Sequence, residues 1–141
     1  VLLASTSTTA TGTFAVSAAP TENGTLVARI VSVAGYTDAA SAGVPVAVTT
    51  KVGLSAPSYV GTGLLFAVTA TVTAPRAAAV TLEVWNGSTW NALGSTTSTT
   101  TGIARFSLTA GGAGTYLYRA RVTGDTRGAD GLSPNFTVTV R

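Results

Sequence analysis

The chain has no histidine, no cysteine and no methionine, and only 9% of its 141 residues are charged. Without His or Cys it lacks the commonest general base and the most nucleophilic side chain. The acids are Glu22, Asp38, Glu83, Asp125 and Asp130. No Gly-x-Ser-x-Gly elbow accompanies the many serines, and no base stands ready to activate one. Lys51 is the single lysine and has no motif around it that would make it a nucleophile. Neither an enzymatic activity nor a cofactor is expected. The lack of cysteine leaves the redox compartment unread. No apolar run approaches the roughly 18 residues of a membrane span. Val1 to Ala4 is too short, and lacks the basic flank, for a signal peptide. With methionine missing even at position 1, the chain reads as a piece of something longer.

Scarce charge also narrows the partners. Ordinary soluble domains carry about 25% charged residues, so the surface here must be made of Thr, Ser, Ala and Gly. The net charge of +3 comes from eight basic against five acidic residues. Arg119 and Arg121 are the only close basic pair on one face, and the phosphate-neutralising cluster that nucleic acid requires is absent. Hydrophobic residues at 45% and a mean hydropathy of +0.42 exclude simple disorder. Seven Arg against one Lys, with abundant Ala, Gly and Thr, suggest the high-GC coding bias often met in exported actinobacterial proteins.

What is present alternates. Within Gly114-Thr-Tyr-Leu-Tyr-Arg-Ala-Arg-Val122, Tyr116, Tyr118, Ala120 and Val122 face one way while Leu117, Arg119 and Arg121 face the other. That is the period of a strand with one buried face. The same period runs through Phe14–Ala18, Leu26–Val31, Val44–Thr50, Lys51–Ala56, Leu64–Thr73, Val80–Trp85, Ala104–Leu108 and Phe136–Val140. Turn signals separate them at Asn23-Gly24, Gly35 to Gly43, Pro75-Arg76, Asn86-Gly87 and Gly124-Asp125, and Trp90 to Ser95 leads away from its turn. No helical period outlasts a turn. Short strands at regular spacing predict an all-β sandwich.

The sequence also repeats. Shifted by 90 residues, Leu3 meets Leu93, Ser5 meets Ser95, Thr11-Gly12 meets Thr101-Gly102, Ser17 meets Ser107, Gly24-Thr25 meets Gly114-Thr115, Arg29 meets Arg119, and Val48-Thr49 meets Val138-Thr139. Leu26, Ala28 and Ile30 then fall on Tyr116, Tyr118 and Ala120. Residues 51–141 make a whole unit, and residues 1–50 only the second part of one. Three strands with one apolar face cannot close a sandwich alone. Upstream sequence, another chain or the C-terminal unit is therefore expected to complete residues 1–50.

Residues 51–141 resemble the bacterial Ig-like domains repeated in exported actinobacterial surface proteins and wall-associated enzymes. The matching features begin with Ser55-Ala56-Pro57 before Phe66-x-Val68-x-Ala70-x-Val72, then Val80-Thr81-Leu82-Glu83-Val84. Trp90, Thr101-Gly102-x-x-x-Phe106 and Ala113-Gly114-Thr115-Tyr116-x-Tyr118-Arg119-x-Arg121-Val122 follow, and Gly124-Asp125 and Leu132-Ser133-Pro134 complete the pattern. Tyr116-x-Tyr118 stands where an immunoglobulin domain keeps Tyr-x-Cys, with Tyr118 in the cysteine's place. Residues 3–51 match the second half of the same pattern. The resemblance implies an immunoglobulin-like Greek-key sandwich, export, and a non-catalytic role. The antibody disulfide and the buried strand-C Trp are missing, and Trp85 falls out of phase with Val80, Leu82 and Val84.

Three features offer chemistry beyond packing. Asp125-Thr-Arg-Gly-Ala-Asp130 presents two carboxylates to a cation such as Ca²⁺, which takes about 6–8 oxygens. Arg127 opposes this, and a solvated turn is the plainer reading, so no metal is expected. Trp85 and Trp90 flank Asn86-Gly-Ser-Thr89 and, with Tyr59, are candidates for stacking on a sugar or anchoring an interface. Packing on the sheet is the bland alternative. Asn23-Gly-Thr25, Asn86-Gly-Ser88 and Asn135-Phe-Thr137 match the N-glycosylation pattern, at a frequency that a Thr-rich chain reaches by chance. The expected role is a structural module of an extracellular or cell-surface protein, a spacer or self-assembling subunit, with copies of itself or neighbouring repeats as partners. The alternatives are an adhesin or carbohydrate-binding accessory module on cell-wall glycan, and an Ig-like decoration of a phage virion.

Overall fold

β-Branched and aromatic residues at every second position leave one face of each segment apolar; strands pair along their edges, and the sheets so formed bury their apolar faces by packing on one another. The computed structural model describes residues 1–31, 34, 35, 37–73 and 77–141, and among these it is all-β with no helix. The break expected at Pro75-Arg76 lies outside the described residues, as does Tyr36 in the expected Gly35–Gly43 loop. Two compact units result, Val1–Val48 and Thr49–Arg141.

The first unit holds β1 (Gly24–Leu26), β2 (Arg29–Ile30), β3 (Ala39–Ala40) and β4 (Val44–Val46). β1 pairs with β4 and β2 with β3, both antiparallel. None of its described residues is buried.

The second unit is a sandwich built from β5 (Val52–Ser55), β6 (Tyr59–Val60), β7 (Leu65–Val72), β8 (Ala79–Trp85), β9 (Trp90–Thr97), β10 (Ile103–Thr109), β11 (Gly114–Val122), β12 (Gly131–Leu132) and β13 (Phe136–Val140). One sheet runs β10-β7-β5, the other β6-β13-β11-β8-β9, with β12 added to β11. The chain crosses between sheets at β5–β6, β6–β7, β7–β8, β9–β10 and β10–β11, the pattern of an immunoglobulin-like sandwich. Val68, Ala70, Val72, Val80, Leu82, Ala120, Val122 and Val138 fill the space between the sheets, each at most 1% exposed. Phe66 meets Tyr118 edge-on at 6.4 Å. The Tyr116 hydroxyl donates to the Gly112 carbonyl at 2.9 Å, forming the tyrosine corner of immunoglobulin domains.

One arrangement of hydrogen bonds occurs in both units. The Thr99 Oγ1 accepts from the Ile103 amide at 3.1 Å and the Gly102 amide donates to Thr99 O at 2.9 Å. Thr9, Gly12 and Thr13 make the same pair of bonds, at 3.2 and 2.9 Å. Gly12 and Gly102 sit at φ 77° and 80°, where a side chain would be strained. Here the spacing is 90 residues. In the hairpins it is 92. The pairs Gly24↔Val46, Thr25↔Pro45 and Leu26↔Val44 become Tyr116↔Val138, Leu117↔Thr137 and Tyr118↔Phe136 when 92 is added to each number. Likewise Arg29↔Ala40 and Ile30↔Ala39 become Arg121↔Leu132 and Val122↔Gly131.

Arg29 therefore corresponds to Arg121, not to Arg119, and Leu26, Ala28 and Ile30 correspond to Tyr118, Ala120 and Val122. The second unit has two additional residues before β11, at the corner that holds Gly111, Gly112 and the Tyr116 hydrogen bond. The position matching Tyr116 in the first unit is Gly24, so that unit has no tyrosine corner.

Several expected strands differ in the structure. Phe14–Ala18 forms none, although its alternation matches that of β10. The reason is pairing: β10 bonds only to β7, and residues 1–48 contain no counterpart of β7. Residues 1–7, the counterparts of β9, likewise form no strand, because β9 bonds only to β8. The counterparts of β11, β12 and β13 pair with one another and do form. Trp90–Thr97 is a full strand rather than a lead-away segment, β3 is a short strand inside the expected Gly35–Gly43 loop, and β6 and β12 are short strands that the alternation does not mark.

Candidate functional site

Two places stand out, the outer face of the larger sheet and the uncovered strands of the first unit. On the outer face, β8 presents Thr81, Glu83 and Trp85, while β11 presents Leu117, Arg119 and Arg121. Antiparallel register sets Glu83 opposite Arg119 and Thr81 opposite Arg121. Glu83 is only 6% exposed, and the guanidiniums cover it: Arg119 Nε donates to Oε2 at 2.6 Å and Arg121 Nε to Oε1 at 3.2 Å. Both donors satisfy a carboxylate that is almost wholly enclosed.

Trp85 and Trp90 are register partners that close the β8–β9 hairpin. Their rings lie 5.4 Å apart, tilted by 52°. Asn86 Oδ1 stabilises the turn between them, accepting from the Ser88 amide at 3.0 Å and the Thr89 amide at 2.8 Å. The Arg119 guanidinium lies 4.2 Å from the Trp90 ring centre, a cation–π contact. One face of Trp90 is thus occupied from within the chain, and Trp85 is 37% exposed.

Tyr59 lies at the far edge of this sheet, on β6, four strands from β9 in the order β6-β13-β11-β8-β9. It is 63% exposed and carries the Arg141 guanidinium 4.6 Å over its ring. The three aromatic candidates therefore divide into a pair and a separate residue.

The aspartates serve the backbone. Asp125 Oδ1 accepts from the Arg127 and Gly128 amides at 2.8 and 3.1 Å, and Asp130 Oδ1 accepts from the Gly124 amide at 2.6 Å. Among the described residues no three His, Cys, Asp or Glu side chains cluster as a metal site would need. Asn23, at the first glycosylation pattern, accepts from the Val48 amide through Oδ1 at 2.7 Å.

The ionisation of Tyr118 is displaced. Burial first, and the neighbouring Tyr116 second, push its phenol above the ordinary value.

The first unit is notable for what is left open. Ile30 is 50% exposed where its counterpart Val122 is 0%, and Leu26 is 37% exposed where Tyr118 is 7%. Phe14, Ala28, Ile30, Ala39, Ala40 and Ser41 line an open depression of about 250 Å³.

One further hydrogen-bond unit was invisible in the sequence. Ser133 Oγ accepts from the Ala120 amide at 2.8 Å while donating to the Pro134 carbonyl at 2.8 Å. The Ser133 amide returns a bond to Ala120 O at 2.9 Å. Ser41 repeats all three with Ala28 and Ala42, at 3.1, 2.8 and 2.9 Å. The signal was the Ser41/Ser133 match, which a shift of 90 does not align.

No family model matches the sequence, and no curated protein does. Among solved structures, the PKD domain of an M14-like peptidase from Thermoplasmatales archaeon SCGC AB-540-F20 is similar over 64% of this chain and 94% of its own, at 21% identity and a TM-score of 0.43. The CARDB domain of a Pyrococcus furiosus protein, in complex with di-metal ions, is similar over 65% and 87%, at 16% identity and 0.43. The sulfur carrier protein SoxY from Chlorobium limicola f thiosulfatophilum is similar over 64% and 78%, at 17% identity and 0.43. The chain is an Ig-like all-β protein by its own sheet order and core. These likenesses add nothing about chemistry. No helix among the described residues is long and apolar enough to cross a membrane.

Proposed function

We propose that the chain is a non-catalytic structural module of an extracellular or cell-surface protein, in which Ig-like units follow in tandem and associate through their sheets. One observation carries the reading. Residues 1–48 repeat the turn and hairpin hydrogen bonds of the second half of the sandwich at 49–141, yet the side chains that the sandwich buries are exposed there. Uncovered apolar strands in water favour association. Few charges stand in the way, because only 9% of residues carry one and desolvating them would oppose contact. Export and an actinobacterial source rest on composition and on the Ig-like pattern.

A carbohydrate-binding role draws support from one observation, the exposed Trp85 beside Trp90. Light scattering across a concentration range separates the two roles when paired with the Trp85→Ala, Trp90→Ala double variant. Assembly predicts masses growing above 13.9 kDa for both proteins. A strict monomer at every concentration would remove self-association from the reading. Retention on cell-wall glycan that the double variant loses would transfer the function to binding.

A further inference from the structure

The strands formed within residues 1–48 are those whose bonding partners also lie there, and that regularity defines what is missing. We propose that the first unit is an acceptor for a polypeptide supplying three strands patterned like β5, β7 and β8, the first half of an Ig-like sandwich. The acceptor face carries Phe14, Val16, Leu26, Ile30, Val44 and Val46. This inference rests on the reading of the chain as an Ig-like assembly module, and it names the partner of that site.

The second unit supplies the template. There β7 bonds to β10 and β5, while β8 bonds to β9 and β11. Counterparts of β9, β10 and β11 are present in the first unit at residues 1–7, 13–19 and 24–30, and each lacks those neighbours. Their main-chain N–H and C=O groups call for another backbone running alongside, which neither a glycan nor a lipid provides. The side chains call for small and branched apolar residues at alternate positions, as Phe66, Val68, Ala70 and Val72 provide on β7. Arg29 corresponds to Arg121, on the outer face, so the acceptor face itself carries no charge to be desolvated.

The test extends the full chain upstream of Val1 with a second copy of its own residues 51–90, which the 90-residue spacing of the Thr9 and Thr99 turns places in sequence. Amide exchange of residues 24–30 and 39–46 is expected to slow at least about tenfold relative to the unextended chain. Unchanged exchange there, with β11 and β13 protected as before in the same sample, overturns the inference. A second extension carrying Val68→Asp in the added copy is expected to abolish the slowing. Slowing that survives that change overturns the inference as well, because burial would not be its cause. Association of the unextended chain reports on the functional reading separately. A chain that associates but is not closed by the added strands keeps that reading and loses this one.

Discussion

Ser133 Oγ accepts the amide hydrogen of Ala120 at 2.8 Å, taking over a bond that a main-chain carbonyl would make in an unbroken ladder. Ser133 is 7% exposed and Ala120 0%. Ser133→Ala strands a buried donor, and the expected cost is about 1–3 kcal/mol. Ser41→Ala removes the same bond in the exposed setting of the first unit, and its cost is expected to stay within about 0.5 kcal/mol. Urea unfolding of both variants checks this; equal effects would contradict it.

The ion pairs around Glu83 predict an asymmetry. Arg119→Met leaves a buried carboxylate with only the longer Arg121 contact, and it also removes the cation–π contact with Trp90. An expected loss of about 2–3 kcal/mol follows. Glu83→Gln leaves two arginines that can turn toward water, at an expected cost of about 1 kcal/mol or less. A larger loss for Glu83→Gln than for Arg119→Met in urea titrations would contradict this asymmetry.

Alkaline stability follows from Tyr118. Its folded-state pKa is raised above the unfolded value of 10.0, so the folded chain holds this proton after the unfolded chain has begun to lose it. The contribution is complete below about pH 10 and is lost as pH climbs through the folded value. Tyr118→Phe removes that dependence. The urea midpoint is expected to fall more steeply above about pH 10 for the unaltered chain than for the variant, and parallel curves would contradict the account.

Much of the fold was legible because one face of each strand is apolar. Tyr116 to Val122, Leu65 to Val72 and Phe136 to Val140 alternate without interruption, so their phase fixes which side chains enter the core. Register was not legible. The shift of 90 aligned the Thr-x-Thr-Gly turns correctly but set Arg29 on Arg119. The two added residues near Gly111 and Gly112 carry no apolar signal, and a slip of two preserves the inward face.

Alternation at Phe14–Ala18 predicts a strand that does not form, because period alone does not reveal whether a partner exists. The Glu83 cluster escaped for a related reason: its members are 36 and 38 residues apart, and only register brings them together. Gly131 shows the same limit. A side chain there would meet the Thr50 carbonyl at 2.5 Å, a close approach that no local pattern announces.

The central claim is that residues 1–48 form an open half of an Ig-like sandwich, whereas residues 49–141 form a whole one by themselves. Hydrogen exchange on the dilute 141-residue chain tests it most directly. The account predicts that amides in β1, β2, β3 and β4 exchange close to the rate of unstructured peptide, while those of β7, β8, β11 and β13 are protected by the full unfolding free energy. Comparable protection of both sets in a monomer would contradict it, because the first unit would then be closed and self-sufficient.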